Sequence, residues 1–484
     1  MNTYTATAGQ VRRRKSLSRH VTSGILAMLE GAIIIGSGLA LLAVYVLPND
    51  AQFLSDYLVA IITYTIVFWQ SLHWCKLYRL NRYTEPKSNI VTLLACIWLG
   101  FLGLITLAFA LKISDHFSRV WAFSWMAGIS LLIPIFRVAA SRYIRHSALS
   151  GMLTKNIAIY GAGENGAQLI KYIEERRQPW LRIVGIFDDR TERVPDECGH
   201  YPVCGGTNEL IEFAQKHGCD EILLTMPPAS RDRYLELTNK LRPLPVNLRI
   251  VPDLTIMDAP NLPDFAGGAF GIPTIDLLRK PVAGWGAVAK RSMDILLTGL
   301  FCLVALPLIG LIALLIKLDS RGPVFFKQKR YGFQNEIIEV LKFRSMYVDC
   351  ADANAEKLTT RDDPRVTRVG AWLRRFSLDE LPQLFNVLNG DMSLIGPRPH
   401  ALKAKAGGKL YQDVMENYGH RIRVKPGLTG WAQVNGWRGN TETEEQLRKR
   451  VEYDLYYIEH WSIMLDLKIL FRTFWIVLEG ENSY

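Results

Sequence analysis

Four apolar runs in the first 150 residues, at 24–47, 54–74, 90–111 and 120–136, constrain this chain more than any other feature. Each approaches the ~20 residues that a helix needs to cross ~30 Å of hydrocarbon. Glu30 and Pro134 interrupt two of them, a defect that spanning helices tolerate when their neighbours cover it. Positive charge falls on alternate connections. Arg12, Arg13, Arg14, Lys15 and Arg19 precede the first run, Lys76, Arg79, Arg82 and Lys87 separate the second and third, and Arg137, Arg142 and Arg145 follow the fourth. The connections at 48–53 and 112–119 are short and poor in positive charge. Cationic loops stay on the cytoplasmic side, so a four-helix transmembrane bundle over 1–150 with both ends in the cytoplasm is expected. The first run is too long for a signal peptide and lacks a small-residue cleavage site, so it reads as a membrane helix.

A chain of 484 residues exceeds one compact domain, and two or three units are expected. The net charge of +11 lies largely beside apolar runs, which suits anionic headgroups and phosphate-bearing substrates. No basic helix with interleaved aromatics and no zinc-finger spacing occurs, so nucleic acid is not an expected partner. The seven cysteines are scattered without a C-x-x-C pair, which excludes a disulfide framework and argues against zinc, even at Cys198, His200 and Cys204.

A cytosolic α/β unit is expected over 151–280. Residues 156–160 read as a buried strand, and Gly161-Ala162-Gly163-Glu164-Asn165-Gly166 opens a helix through Ile173. A second strand at 183–187 ends at Asp188, about 20 residues on, and further strands fit 221–225 and 248–251. This is the G-x-G-x-x-G setting of a Rossmann-like domain, in which glycines allow close backbone approach and a helix start faces phosphate. Gly161, Gly163, Gly166 and Asp188 are therefore candidate nucleotide contacts. A regulatory or structural domain is the competing reading. No Tyr-x-x-x-Lys pair lies in or after the unit, which disfavours a short-chain dehydrogenase.

The third unit spans 281–484. Residues 295–316 are 22 almost unbroken apolar positions, long enough to span. Yet Lys290 and Arg291 stand before them and Lys317, Arg321, Lys327, Lys329 and Arg330 after, so both flanks favour the cytoplasmic side. Pro307 sits mid-run, where a helix loses a hydrogen bond at a cost of ~3 kcal/mol. A membrane helix over 294–317 that enters, breaks at Pro307 and returns satisfies both facts. A fifth spanning helix is the alternative.

Downstream lies a string of short basic and glycine-containing motifs around one acidic pair. They read Lys342-Phe-Arg-Ser-Met346, Asp363-Pro-Arg-Val-Thr367, Ser377-Leu-Asp-Glu-Leu-Pro-Gln383, Gly396-Pro-Arg-Pro399 and Lys425-Pro-Gly-Leu-Thr-Gly-Trp-Ala-Gln-Val-Asn-Gly436. Arginine forks suit phosphate oxygens, so phosphate chemistry is indicated. Ser377-x-x-Glu380 also matches a capping box that opens a helix through Leu388. The two readings are compatible, because a helix start favours the anionic carboxylate that a nucleophile or magnesium ligand needs. The aromatic-flanked tail over 461–478 fits a helix lying in the membrane interface, or equally one buried in the core.

In these motifs and their order, residues from about 290 to 484 resemble the bacterial sugar transferase family, the polyprenyl-phosphate hexose- or hexosamine-1-phosphate transferases. The bundle and the Rossmann-like unit resemble the large members that initiate exopolysaccharide synthesis at the bacterial inner membrane. The resemblance implies an integral-membrane α-helical bundle, a Rossmann-like domain and a mainly α, membrane-associated catalytic domain. It implies Asp379 as nucleophile on the β-phosphorus of a UDP-sugar and Glu380 as a Mg2+ ligand. Lys342, Arg344 and Arg398 would line the phosphate site, while Arg365 and Asp466 carry over as further site residues that fit structural ion pairs equally well. Undecaprenyl phosphate is the implied acceptor, membrane lipids are implied surroundings, and a homo-oligomer is compatible. Trp431-Ala-Gln-Val-Asn-Gly436 with the following Trp437-Arg-Gly-Asn-Thr-Glu-Thr443 resembles glucose-transferring members, so UDP-glucose comes before UDP-galactose or an N-acetylated hexosamine. One departure stands out. Family members commonly carry Ser-Pro at the membrane break, where this chain has Leu306-Pro307.

Overall fold

The computed structural model describes residues 18–48, 52–149, 153–175, 181–190, 196–226, 231–252, 274–348, 363–402, 405–437, 439 and 443–479. Arg12 to Lys15, Cys350, Arg438 and 440–442 lie outside them. The chain forms two compact units, one holding the helical bundle within 13–155 and the other holding the α/β and carboxyl-terminal regions together.

The bundle contains α1 (Arg19–Leu41), extended by a π-helical turn at Leu42–Val46, then α2 (Leu54–Trp74), the short α3 (Leu80–Tyr83), α4 (Ile90–Ala110) and α5 (Arg119–Leu149). Buried Ile34, Ile61, Tyr64, Phe68, Ile97, Trp125 and Ile133 form its core. Val59, Leu99, Phe109, Phe123 and Leu131 point outward, as expected where the surrounding solvent is lipid. Among the described residues four helices are long and apolar enough to cross a membrane: His20–Val46, Ile90–Ala110, Arg119–Ser147 and Gly284–Asp319. The bundle's second helix is equally long but carries Ser55, Asp56, Gln70, Ser71 and His73 near its ends, which lowers its apolarity. Glu30, the charge that interrupts the first apolar run, is wholly buried and takes hydrogen bonds from Arg137 Nε (2.7 Å) and Tyr83 Oη (2.6 Å).

The α/β region follows the spacing read above. Its elements are β1 (Lys155–Tyr160), α6 (Glu164–Glu175), β2 (Leu181–Phe187), α7 (Thr207–His217), β3 (Glu221–Leu224), α8 (Arg231–Leu241), β4 (Asn247–Ile250) and β5 (Ile275–Leu278). The sheet order is β2-β1-β3-β4-β5. Strand β3 pairs parallel with β1 and β4, and β5 closes the edge antiparallel. Buried Ala158, Ile222, Leu224 and Leu248 fill the space under the helices.

In the carboxyl-terminal region, α9 (Gly284–Asp319) runs 36 residues and passes through Pro307 without an assigned break. Its two ends are held by the same folded region. Near the start, Lys290 Nζ donates to Ile395 O and Asp466 Oδ2, both at 2.9 Å, and Arg291 donates to the carbonyls of Val387 and Leu388. At the far end, Asp319 accepts from Val369 N, and Arg344 donates to the carbonyls of Ser320 and Arg321. Between these anchors Leu296, Leu303, Val304, Leu311 and Leu318 are exposed.

A hairpin of β6 (Phe325–Tyr331) and β7 (Ile337–Phe343) follows, then α10 (Arg368–Arg375), α11 (Gln383–Asn389), and a parallel pair, β8 (Ser393–Ile395) with β9 (Gly427–Thr429). The chain continues into α12 (Glu444–Glu459) and α13 (Ile463–Glu479). Helix α13 buries Asp466 and Ile469 against the core while Met464, Leu467, Phe471, Phe474 and Trp475 stay exposed. Their spacing makes one apolar stripe. Both readings of the tail thus describe one face each.

Candidate active site

The acidic pair occupies a tight 3-10 turn, Leu378–Glu380, just ahead of α11. Ser377 enters it at φ +54°, in the left-handed region, and makes no side-chain cap. The capping box read from the sequence does not form. Its partner carboxylate is engaged elsewhere: Glu380 Oε1 accepts from Lys342 Nζ at 2.9 Å and Glu380 Oε2 from Arg398 Nη1 at 3.0 Å. A second Arg398 nitrogen, Nη2, also donates to Glu380 Oε1. Two cations offset the burial of this carboxylate better than a backbone amide could.

Three segments deliver these groups. Lys342 stands near the end of β7. The turn presents Asp379 and Glu380. Arg398 lies just past β8, where backbone packing leaves no room for side chains: a Cβ at Gly396 would sit 2.5 Å from Lys425 O, and one at Gly427 would sit 2.1 Å from Gly396 N. Gly427 N donates to Pro397 O at 2.9 Å. Glycines in two distant motifs therefore lock the Pro397-Arg398-Pro399 turn and aim its guanidinium.

The adjacent carboxylates are held unequally. Burial raises Glu380, but Arg398 and Lys342 outweigh it and hold the carboxyl well below its usual range. Asp379 sits 3.9 Å from Lys342 Nζ and lacks such bidentate support. Burial, reinforced by the charge of Glu380, raises its pKa above the ordinary aspartate value. One acid is a fixed anion, and its neighbour is a poorly neutralised, basic carboxylate. That is the profile of a nucleophile beside an electrostatic partner.

The family model for the bacterial sugar transferase matches residues 285–480, which hold all of these groups. An undecaprenyl-phosphate glucose phosphotransferase from Komagataeibacter xylinus is 40% identical, the match covering 74% of this chain and 66% of that protein. A UDP-glucose:undecaprenyl-phosphate glucose-1-phosphate transferase from Xanthomonas campestris pv. campestris is 32% identical, covering 100% of this chain and 96% of the relative. A protein of that same description from Escherichia coli (strain K12) is 36% identical over 76% of each chain. The chain belongs to the bacterial sugar transferase family.

In this sugar transferase the remaining sequence candidates take other positions. Arg344 is buried, and its donors go to Ser320, its Oγ as well as its carbonyl, and to Arg321 O. It caps α9 and does not join Lys342 at the acidic pair. The strand alternation that pairs positions 342 and 344 on paper ends with Phe343. Arg365 holds Asp363 at 2.6 Å. Asp466 is fully buried and accepts from Lys290, Tyr457 Oη at 2.8 Å and Trp461 Nε1 at 3.0 Å. Of the two roles left open for these residues, the structure places both in ion pairs. Pro307 lies inside α9.

Behind the pair stands a cationic layer that the sequence reading missed. Arg330 donates to Pro399 O at 2.6 Å, and Arg421 pairs with Asp454 at 2.6 Å and donates to Arg398 O. Burial together with the charge of neighbouring guanidiniums lowers Arg330 and Arg450 to about 10. The cations Arg330, Lys342, Arg398, Arg421 and Arg450 outnumber the carboxylates Asp379, Glu380 and Asp454 around which they cluster. Such an excess suits an anionic diphosphate. Period-two alternation was the available signal, since Gln328 and Arg330 share a strand face while Lys327 and Lys329 occupy the other.

Among the described residues no three His, Cys, Asp or Glu side chains converge as a metal cage. The donor set at the site is two neighbouring carboxylates, which fits magnesium held mainly through substrate phosphates.

A family model described as a CoA-binding domain matches residues 74–252. Within it, Gly161 takes φ +115°, and a Cβ at Gly166 would lie 2.2 Å from Gly161 O, so the turn requires both glycines. Asp188 is buried, accepts from Ala162 N at 2.9 Å and pairs with Arg190 at 2.7 Å. The acidic position of the fingerprint is thus satisfied within the protein. Gly163 lies close to Arg190, a Cβ there falling 3.7 Å from Nη2.

Proposed function

We propose that this protein transfers glucose-1-phosphate from UDP-glucose to undecaprenyl phosphate, releases UMP, and so begins a polysaccharide chain on its lipid carrier. The observation that carries this reading is the unequal pair: Asp379 raised by burial beside a Glu380 clamped by Lys342 and Arg398. Relatives that share most of the chain are named for this reaction.

In the first step a carboxylate oxygen of Asp379 attacks the β-phosphorus. The bond from that phosphorus to the bridging oxygen breaks, and UMP leaves with the electron pair. In the second, a phosphate oxygen of the lipid attacks the same phosphorus and displaces Asp379, giving a lipid diphosphate sugar. Lys342 and Arg398 hold the diphosphate in line, and Arg330 and Arg450 add charge behind it. Magnesium bound at Glu380 and the diphosphate would neutralise charge between the anionic reactants.

Access to a membrane-borne acceptor requires the site to lie beside the bilayer. We read α9 as bending at Pro307, where a helix hydrogen bond is lost, so that it enters and leaves the same membrane face, the cytoplasmic one. This is supported by the anchoring of both its ends to one folded region and by the cationic residues at each end. In a background without native cysteines, Val288→Cys and Leu318→Cys are expected to label from the same side of sealed vesicles. Labelling from opposite sides would mean a spanning helix.

The reaction is tested without acceptor lipid. Wild type is expected to release a single burst of UMP equivalent to its active sites, and Asp379→Asn none. A burst from the variant would remove Asp379 from the chemistry.

A further inference from the structure

The helical bundle carries a cavity of its own. A cavity of about 200 Å3 is lined by Arg82, Lys87, Ile90, Leu93, Pro134 and Arg137, together with their close neighbours. Its wall is made by the start of α4 and the middle of α5. Ile90, Leu93 and Pro134 give the lining an apolar part, and Arg82, Lys87 and Arg137 a cationic one.

The lining cations are only partly paired. Arg137 is 4% exposed and spends Nε and Nη2 on Glu30, so its charge is matched. Among the described residues Arg82 donates to one carbonyl, that of Cys75 at 3.0 Å. Among the described residues no carboxylate pairs with Arg82 or Lys87. The first turn of the 21-residue α4 opens at the same place; its N-cap Asn89 makes no side-chain cap, and its amide nitrogen donates to the carbonyls of Arg82 and Glu85. The partial positive charge of that helix start adds to the two side chains. Asn89 folds the loop onto itself through the carbonyls of Arg82 and Glu85.

The surroundings are equally specific. Val138, which lines the cavity, is 40% exposed, and Val91, Leu131 and Ile135 on the same two helices are exposed as well, so these helices present apolar surface of the kind that faces lipid in a membrane protein. A ligand there must present an anion at one end and hydrocarbon at the other. A cavity of about 200 Å3 has room for a phosphodiester and the first chain carbons.

We infer that this cavity binds an anionic glycerophospholipid, with its phosphate between Arg82, Lys87 and the start of α4 and its chain along Ile90, Leu93, Pro134 and Val138. The inference is independent of the proposed reaction.

The test uses the full chain in neutral detergent, with lipid binding followed by native mass spectrometry and by the thermal midpoint. Phosphatidylglycerol, phosphatidylcholine and a short polyprenyl phosphate are titrated separately. Wild type is expected to bind phosphatidylglycerol on the order of tenfold more tightly than phosphatidylcholine. Arg82→Gln with Lys87→Gln, both at exposed positions, should erase that preference while keeping the lipid-free midpoint. Val138→Trp, which fills the mouth from a partly exposed position, should weaken phosphatidylglycerol without altering the midpoint. Equal binding of the two glycerophospholipids, an unchanged preference in both variants, or tighter binding of polyprenyl phosphate than of phosphatidylglycerol would each overturn the assignment.

Discussion

The bundle and the carboxyl-terminal region each bury a glutamate against cations, and the two clusters are built to opposite ends. In the bundle, Glu30 meets Arg137 with both oxygens, Tyr83 adds a hydroxyl, and the guanidinium lies 4.7 Å from the Tyr83 ring centroid. One carboxylate faces one guanidinium. In the carboxyl-terminal region Glu380 is just as well paired, but a second carboxylate, Asp379, shares the site, and several further guanidiniums remain near it. A matched pair closes a structure, whereas a cluster with an ill-neutralised acid and surplus cations keeps electrostatic capacity for a ligand.

The largest expected effect separates the two acids at the site. Asp379→Asn should lower UMP release by about 10^4-fold or more, yet raise the thermal midpoint at neutral pH. The sign follows from the raised pKa: burying the ionised carboxylate costs stability above that pKa, and the cost vanishes below the unfolded value. The variant's advantage should therefore shrink as pH falls toward 4. A variant that melts lower at pH 7 would show that Asp379 is structurally supported after all.

Glu30→Ala should act in the reverse sense. Removing one partner leaves Arg137 buried alone, a loss of about 3–5 kcal/mol, measured as an earlier thermal or denaturant transition. Turnover per folded molecule should stay at the wild-type level. If turnover fell and the melting did not, the bundle cluster would be a functional site and the contrast would fail.

Arg398→Lys keeps the charge but loses the fork onto Glu380, and kcat/KM for UDP-glucose should drop about 10- to 100-fold. The same exchange at Arg344, which caps α9 carbonyls, should lower the melting midpoint and leave the pH profile in place. The smallest effect is in that profile. Because Asp379 must be ionised to attack and its pKa is raised, the acid limb of kcat/KM should lie above the usual aspartate value, near 4. In Glu380→Gln it should move down, since the like charge beside Asp379 is gone.

Much of this fold is legible in the sequence because its signals are local. The apolar runs locate the starts of the bundle helices to within about five residues, although α5 continues to Leu149, well past the apolar run that ends at 136, and alternation with the glycine turn locates β1, α6 and β2. The acidic pair, Lys342 and Arg398 are legible as motifs. What escapes is decided by distant partners. Ser377 and Glu380 have capping-box spacing, yet Lys342 and Arg398, 38 and 18 residues from Glu380 in sequence, claim its carboxylate. Arg330 reads as a membrane flank until the hairpin turns it toward Pro399. Arg344 shares a motif with Lys342 but ends on carbonyls more than 20 residues away. Arg421 and Arg450 stand outside the motifs marked for phosphate chemistry; the Arg421–Asp454 pair ties α12 to the 416–423 segment, from which Arg421 reaches Arg398 O.

The central claim is that Asp379 carries the sugar phosphate during turnover, and intact-protein and peptide mass spectrometry test it directly. Protein incubated with UDP-glucose in the absence of acceptor lipid and quenched in acid should gain one hexose phosphate, located on the peptide that contains Asp379 and discharged when polyprenyl phosphate is added before the quench. An adduct on any other residue, or an unmodified chain that nevertheless turns over, would contradict the account.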